Sequence, residues 1–536
     1  MSLLDVRDLS VSIHGVQILR RVSLSVAPRR ILGVIGESGS GKSMTALSVM
    51  RLLPPGGVVT GAVDLAGTAL LSLSERQMEA VRGAQIGMVF QEPMTALNPL
   101  QTIGDQVSET LRFHDRVSPR FARARAREVL DRVGLPAPEF PLQRYPHELS
   151  GGQRQRVVIA MAIARRPKLL IADEPTTALD VTTQAQILEL IRRLVDEDGM
   201  GAMFITHDLA VVSGLADDIA IMRAGEVVEA GPTREVFAQM RHPYTRALFE
   251  ASGHRPDRAV HSGRTTLLEV EGVVRRYPGR RAGLWRCGPP KTAVDGVSFT
   301  LREGENLGLV GESGCGKSTL TRAILGLEAL QGGRIALRGA EIRAGQVPPA
   351  LRAQLQVVFQ DPYGSFNPRH RVARLVSEPF HLLARPPMGA ERAAAIAEAL
   401  DAVGLRAEDA QKYIHEFSGG QRQRIAIARA LIIKPALIVL DEAVSALDVQ
   451  VRAQILDLLA ALTERYTLSY LFISHDLHVV RRITDRVLVM KDGKIVEAGA
   501  TEELFLAPRH PYTQSLLAAT PTLPTSVVSS AGGDTP

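Results

Sequence analysis

Ile31-Leu32-Gly33-Val34-Ile35 runs directly into Gly36-Glu37-Ser38-Gly39-Ser40-Gly41-Lys42-Ser43, and the fold is decided by how this stretch is read. The apolar run reads as a strand buried on both faces, the kind found in parallel sheets. Glycines let the next turn face its backbone N–H groups inward, and the run after Lys42 reads as a helix whose N-terminus adds partial positive charge. Such a loop cradles phosphate oxygens, with Lys42 reaching the outer phosphates and the Ser43 hydroxyl placed for Mg²⁺. The arrangement recurs after Leu307-Gly308-Leu309-Val310, as Gly311-Glu312-Ser313-Gly314-Cys315-Gly316-Lys317-Ser318-Thr319. An incidental glycine turn accounts for one such match but not for two in the same strand-to-helix context.

Outward from these loops the whole chain repeats. Ser150-Gly151-Gly152-Gln153 returns 268 residues later as Ser418-Gly419-Gly420-Gln421. The same offset relates Asp173-Glu174 to Asp441-Glu442, Asp180 to Asp448, His207 to His475, and His242-Pro243-Tyr244-Thr245 to His510-Pro511-Tyr512-Thr513. Between Ile13/Tyr277 and Gly36/Gly311 the offset changes, which places an insertion at residues 280–290 of the second copy. Two domains are therefore expected at 1–252 and 266–520, with a polar linker at 253–265 and a loose tail at 521–536. Each copy alternates short apolar strands with helices, an α/β pattern with a mostly parallel sheet. Helical subdomains are expected at about 92–148 and 361–416, and hairpins around Ala224-Gly225 and Asp492-Gly493.

Composition bounds the partners. The chain has 536 residues with 63 Lys+Arg against 57 Asp+Glu, a net charge of +6 that requires no nucleic acid. Its apolar run Val157–Ala164 is closed by Arg165-Arg166, far short of the roughly 18 residues a membrane span needs. Neither a span nor a secretory leader is expected, and a cytosolic protein is. Two cysteines, Cys287 and Cys315, are too few for a four-thiolate metal site. Cys315 is read as a small filler in the phosphate loop rather than a redox switch.

Each copy also carries an apolar run ending in two acids, Leu169-Leu170-Ile171-Ala172-Asp173-Glu174 and Leu437-Ile438-Val439-Leu440-Asp441-Glu442. At the tip of a buried strand the first acid can hold Mg²⁺, usually through water, and the second can polarise a water that attacks the γ-phosphate. Asp173 and Asp441 are assigned the metal role, Glu174 and Glu442 the base role. A lone Asp-Glu would more simply cap the next helix.

Together, the phosphate loop, Ser-Gly-Gly-Gln, Asp-Glu and a later histidine resemble the nucleotide-binding domain of ABC transporters, twice over and along nearly the whole chain. That resemblance implies two tandem P-loop ATPase domains using ATP and Mg²⁺. Ser150-Gly151-Gly152-Gln153 and Ser418-Gly419-Gly420-Gln421 match the signature motif, which in that family caps the nucleotide bound by the opposite domain. Gln91 and Gln360 match the Q-loop glutamine, which also faces the metal, Asp180 and Asp448 the D-loop aspartate, and His207 and His475 the switch histidine. A head-to-tail pairing within the chain is implied, with two hydrolytically competent sites. Tyr277 stands where the family stacks an aromatic ring on adenine. Ile13 takes that place in the first copy, a loss of about 0.5 to 1.5 kcal/mol.

The His-Pro-Tyr-Thr segments, with Asn98-Pro99 and Asn367-Pro368 after the Q-loops, resemble the oligopeptide, dipeptide, glutathione and nickel branch of ABC importers. Membership implies two integral-membrane permeases, an extracytoplasmic solute-binding protein, and a peripheral place on the cytoplasmic face of the cell membrane. Lacking that branch's C-terminal cysteine cluster, the chain is expected to hold no iron–sulfur centre. The competing expectation is a soluble tandem ABC ATPase of translation or DNA repair. The short linker argues against the first and the missing cysteine pairs against the second.

Overall fold

The computed structural model describes residues 2–91, 93–177, 179–258, 263, 265–279, 289–361, 364–445 and 447–523. Each half contains a six-stranded sheet. In the first its order is Glu226–Pro232, Asp218–Arg223, Ile31–Ile35, Gly201–Ile205, Leu169–Asp173, Ile86–Val89, parallel except for the hairpin strand Glu226–Pro232. The second half repeats the order with Lys494–Ala500, Arg486–Lys491, Asn306–Val310, Ser469–Ser474, Leu437–Asp441 and Leu355–Val358. Ile31–Ile35 and Leu169–Asp173 are buried throughout, as parallel strands covered on both faces must be. One face of each sheet packs on a four-stranded antiparallel sheet, the other on the helical subdomain. The hairpin turns have both central residues at positive φ, 47° and 84° at Ala224-Gly225, the geometry that matches strand twist.

The two helical subdomains differ. Ile103–Asp115 and Pro119–Arg132 are full helices packed on Gly151–Ile163. In the second copy the first of them shrinks to Val372–Val376 and a 3₁₀ turn, Glu378–Leu382. Pro379 removes a backbone donor there, and Pro386-Pro387 prevents the helix from resuming. Among the described residues no helix is long and apolar enough to cross a membrane.

The halves meet through a near-twofold exchange. Helix Pro243–Gly253 of the first half packs on Val449–Tyr466 of the second, and Pro511–Ala518 of the second packs on Val181–Asp198 of the first. What was expected to be a loose tail begins packed: Leu523 lies against the first half's Ile35, Leu209 and Phe249 cluster, and the carbonyl of Pro521 faces His478 at 2.7 Å. The insertion at 280–290 falls almost entirely outside the described residues.

Between helix and second sheet the chain is likewise held down. His254 meets Asp457 at 2.6 Å, Arg255 meets Glu502, and Arg258 donates to Asp485 at 2.8 Å. In the first half Asp217 accepts from the Ile31 N–H and from Arg192. Asp485 accepts the matching N–H of Asn306, but Ala460 stands where Arg192 would be, so the linker's Arg258 supplies the missing cation. Arg258 and Asp485 are 11% and 8% exposed, so removing one partner strands a buried charge. Arg258→Ala is expected to destabilise the second half by about 3 kcal/mol in denaturant unfolding. Arg255→Ala breaks a solvent-exposed pair and should cost less than about 1 kcal/mol.

Candidate nucleotide sites

Both phosphate loops close on their own lysines. Lys42 Nζ donates to the carbonyls of Gly36 and Glu37, each at 2.8 Å, and Lys317 Nζ to those of Gly311 and Glu312 at 2.6 and 2.9 Å. Burial pushes the Lys42 ammonium pKa down, against the opposing pull of Glu174 and Asp173. Gly36 has a φ of 154°, and a Cβ there would lie 2.1 Å from the Met222 carbonyl oxygen, so no other residue fits. Lys42 and Lys317 then open the helices Lys42–Val49 and Lys317–Ile324. Cys315 is buried, and that burial raises its thiol pKa, which opposes the thiolate a redox switch would need.

Strand tips bring the acids to the loops. Ser43 Oγ donates to Asp173 at 3.1 Å, and burial raises the Asp173 carboxyl pKa, as it does that of Asp441. Among the described residues no cluster of three or more His, Cys, Asp or Glu side chains could cage a metal unaided. A hydroxyl and a buried carboxylate beside a phosphate loop instead fit Mg²⁺, which keeps waters and takes phosphate oxygens as ligands. Ser318, Gln360 and Asp441 share one groove in the second half in the same way.

Glu174 and Glu442 follow at φ of 45° and 51°, a costly backbone for such a side chain and one that tends to persist at functional sites. Glu174 is engaged on both carboxylate oxygens: Gln91 Nε2 and Thr177 Oγ1 each reach Oε2 at 3.0 Å, and His207 Nδ1 lies 3.4 Å from Oε1. Burial opposes the ionised form, yet His207, Thr177 and Lys42 together hold its pKa down at about 2. Burial likewise opposes ionisation of Glu442, and His475, at 3.3 Å, with Lys317 lowers its pKa.

The signature residues cap helices. Ser150 and Ser418 accept from the N–H of Gln153 and Gln421, whose side chains accept in return from the N–H of Ser150 and Ser418. Among the described residues no hydrogen bond joins Ser150 or Ser418 to a phosphate loop. Their connection to the opposite loop is indirect. A Cβ on Gly152 would strike Thr183 at 2.2 Å, and the neighbouring Thr182 donates across the seam to Glu312 at 2.6 Å. Asp180 takes a hydrogen bond from the Ser313 backbone. Symmetrically, Gly420 abuts Val451, and Asp448 and Val449 lie with Gly36, Glu37 and His207 around one small cavity. Each D-loop thus lies against the other half's phosphate loop. Tyr277 ends the strand Thr266–Tyr277 with its hydroxyl donating to Glu328 and Arg275 over one ring face, while its counterpart Ile13 is half-buried.

Sequence reading missed the work of Tyr244 and Tyr512. The Glu37 N–H donates to the Tyr244 hydroxyl and the Glu312 N–H to that of Tyr512, both at 3.1 Å. Glu229 and Glu497 anchor the start of each tyrosine-bearing segment by accepting from the N–H groups of Arg241 and His242, and of Arg509 and His510. Recurrence of His-Pro-Tyr-Thr at the fixed offset was the available signal. Tyr244→Phe is expected to weaken ATP binding at the Lys42 site roughly two- to fivefold, the loss of one neutral hydrogen bond, in titrations of the full chain with a fluorescent ATP analogue.

The ABC transporter family matches residues 19–177 and 294–445, and the C-terminal region of oligopeptide/dipeptide transporters matches 228–266 and 496–533. The chain is 47% identical over 525 residues to the peptidoglycan transport ATP-binding protein YejF of Agrobacterium fabrum, covering 96% of both chains. It is 46% identical over 560 residues to the glutathione import ATP-binding protein GsiA of Salmonella choleraesuis, covering 97% of this chain and 89% of that one. GsiA of Escherichia coli K12 is 46% identical over 539 residues, with coverage of 94% and 86%. With both phosphate loops, both acid pairs and both signature helices lying inside or beside the matched segments, this chain belongs to the ABC transporter family as a tandem ATP-binding protein.

Proposed function

We propose that the chain is the ATP-hydrolysing subunit of an ABC importer for peptides or peptide-like solutes, peripheral on the cytoplasmic face of the cell membrane. The single observation that carries its mechanism is the lodging of each D-loop against the opposite phosphate loop. On this reading one ATP lies between Lys42, Gln91, Asp173, Glu174 and His207 on one side and Ser418 and Gly420 on the other. A second lies between Lys317, Gln360, Asp441, Glu442 and His475 and the other half's Ser150 and Gly152. The anchored linker makes the pairing intramolecular and raises the effective concentration of each half for the other.

In the reaction a water attacks the γ-phosphorus in line, the bond from that phosphorus to the β–γ bridging oxygen breaks, and ADP leaves with the bridging oxygen. Glu174 or Glu442 accepts its hydrogen bond and then its proton, Lys42 or Lys317 offsets the phosphate charge, and the signature helix N-terminus faces the γ-oxygens. Ser43, Asp173 and Gln91 at one site, and Ser318, Asp441 and Gln360 at the other, would hold Mg²⁺, which would supply neutralisation of the phosphate charge. The names of the relatives, glutathione import and peptidoglycan transport, support a peptide-like solute. The same names, with the oligopeptide/dipeptide transporter match, favour two permeases and an external binding protein as partners over a soluble role in translation or DNA repair.

Glu174→Gln and Glu442→Gln should each slow steady-state hydrolysis at least tenfold with ATP binding retained. Unchanged turnover in either variant contradicts the assignment. The doubly substituted chain, purified from its native cells in mild detergent, should carry two integral-membrane proteins with it. Ribosomal or DNA-processing proteins in their place would overturn the importer reading.

A further inference from the structure

The two base glutamates stand in the same backbone turn but not in the same hydrogen-bond environment. Thr177 N–H and Ser445 N–H donate to the carbonyls of Glu174 and Glu442 at the same 3.2 Å, so the main chain does not separate them. Their hydroxyls diverge. Thr177 Oγ1 donates to Glu174 Oε2 at 3.0 Å, whereas Ser445 Oγ turns back to the Glu442 carbonyl at 2.9 Å. Threonine's branched Cβ restricts the rotamer, while the smaller serine is free to choose the backbone.

Counting lone pairs gives the consequence. A carboxylate oxygen accepts about two hydrogen bonds, and Glu174 Oε2 already takes those of Gln91 and Thr177. Only Oε1 is left to meet a water, and His207 stands 3.4 Å from it. Among the described residues, His475 is the only side chain within hydrogen-bonding range of the Glu442 carboxylate, and it reaches Oε1. Oε2 of Glu442 is open to an attacking water. A water that Glu174 polarises must therefore share Oε1 with His207 or displace a bond on Oε2, whereas Glu442 offers an oxygen that bears neither bond.

We propose that Thr177 is a positioning residue that engages Glu174 and makes the Lys42 site the slower of the two, while Ser445 leaves Glu442 free and the Lys317 site the faster. The inference rests on the base roles proposed above. Among the described residues the hydrogen bonds of Thr177 all go to Glu174, so its effect belongs in kcat and not in KM.

The test is a reciprocal exchange in the full chain, with ATP hydrolysis followed at saturating and limiting ATP. One hydrogen bond changes one of the two sites roughly threefold, so Thr177→Ser is expected to raise kcat of the whole chain about 1.5- to 2-fold, and Ser445→Thr to lower it by a similar factor. KM for ATP should stay unchanged in both. Thr177→Val, which removes the hydroxyl but keeps the shape, should act in the direction of Thr177→Ser. A merely structural role would lower activity in every variant. An unchanged or lower kcat in both Thr177 variants overturns the inference, as does a Ser445→Thr chain as fast as the parent. If Glu174→Gln and Glu442→Gln slow turnover while the exchange does nothing, only the role of Thr177 falls. If those glutamine variants leave turnover intact, the base assignment itself fails.

Discussion

A loop that aims its backbone N–H groups at a phosphate cannot also bury them in its own fold, so something else must hold it open. In this chain that support comes from four directions. Gly36 lies on the Met222 carbonyl at a distance no side chain tolerates, and Lys42 draws in the loop's carbonyls. Tyr244 pins the Glu37 N–H, and the other half's D-loop closes the remaining side. The sheet order follows from the same need, because it places the strand leading to His207 beside the strand that launches the loop and the Asp173 strand next after it.

Fusion then changes what the two halves must do for each other. Each lends a C-terminal helix to the other's D-loop helix, and the linker donates Arg258 to a carboxylate that in the first half is served from within. The linker is thus part of the second half's packing as well as a tether. Near-symmetry at the seam coexists with differences at single positions, and these are where two sites built from one plan come to differ. Thr177 against Ser445 is one such pair, Arg192 against Ala460 another.

Much of this was legible in the residues. Strands buried on both faces announce themselves as unbroken apolar runs, and motifs that repeat at one offset declare two copies of one domain. In the sequence Thr177 differs from Ser445 by one methyl, a difference with no consequence until the hydroxyl's partner is visible. The role of Tyr244 is not legible locally, since its contact with Glu37 spans 207 residues. Pro379 was visible, but its cost depends on a helix whose extent packing decides. Pro521–Leu523 looked loose for lack of periodicity, yet Pro521 is held by His478 of its own half and Leu523 by a surface belonging to the other.

The central claim is that each ATP is held by the phosphate loop of one half and the signature helix of the other, and double substitution tests it most directly. Lys42→Met combined with Ser418→Arg should disable one site only, leaving the chain as active and as able to retain ATP as Lys42→Met alone. Lys42→Met combined with Ser150→Arg should disable both and abolish hydrolysis. The reverse pattern, with the Ser150 combination spared and the Ser418 combination inactive, would mean that each half completes its own site and would contradict the account.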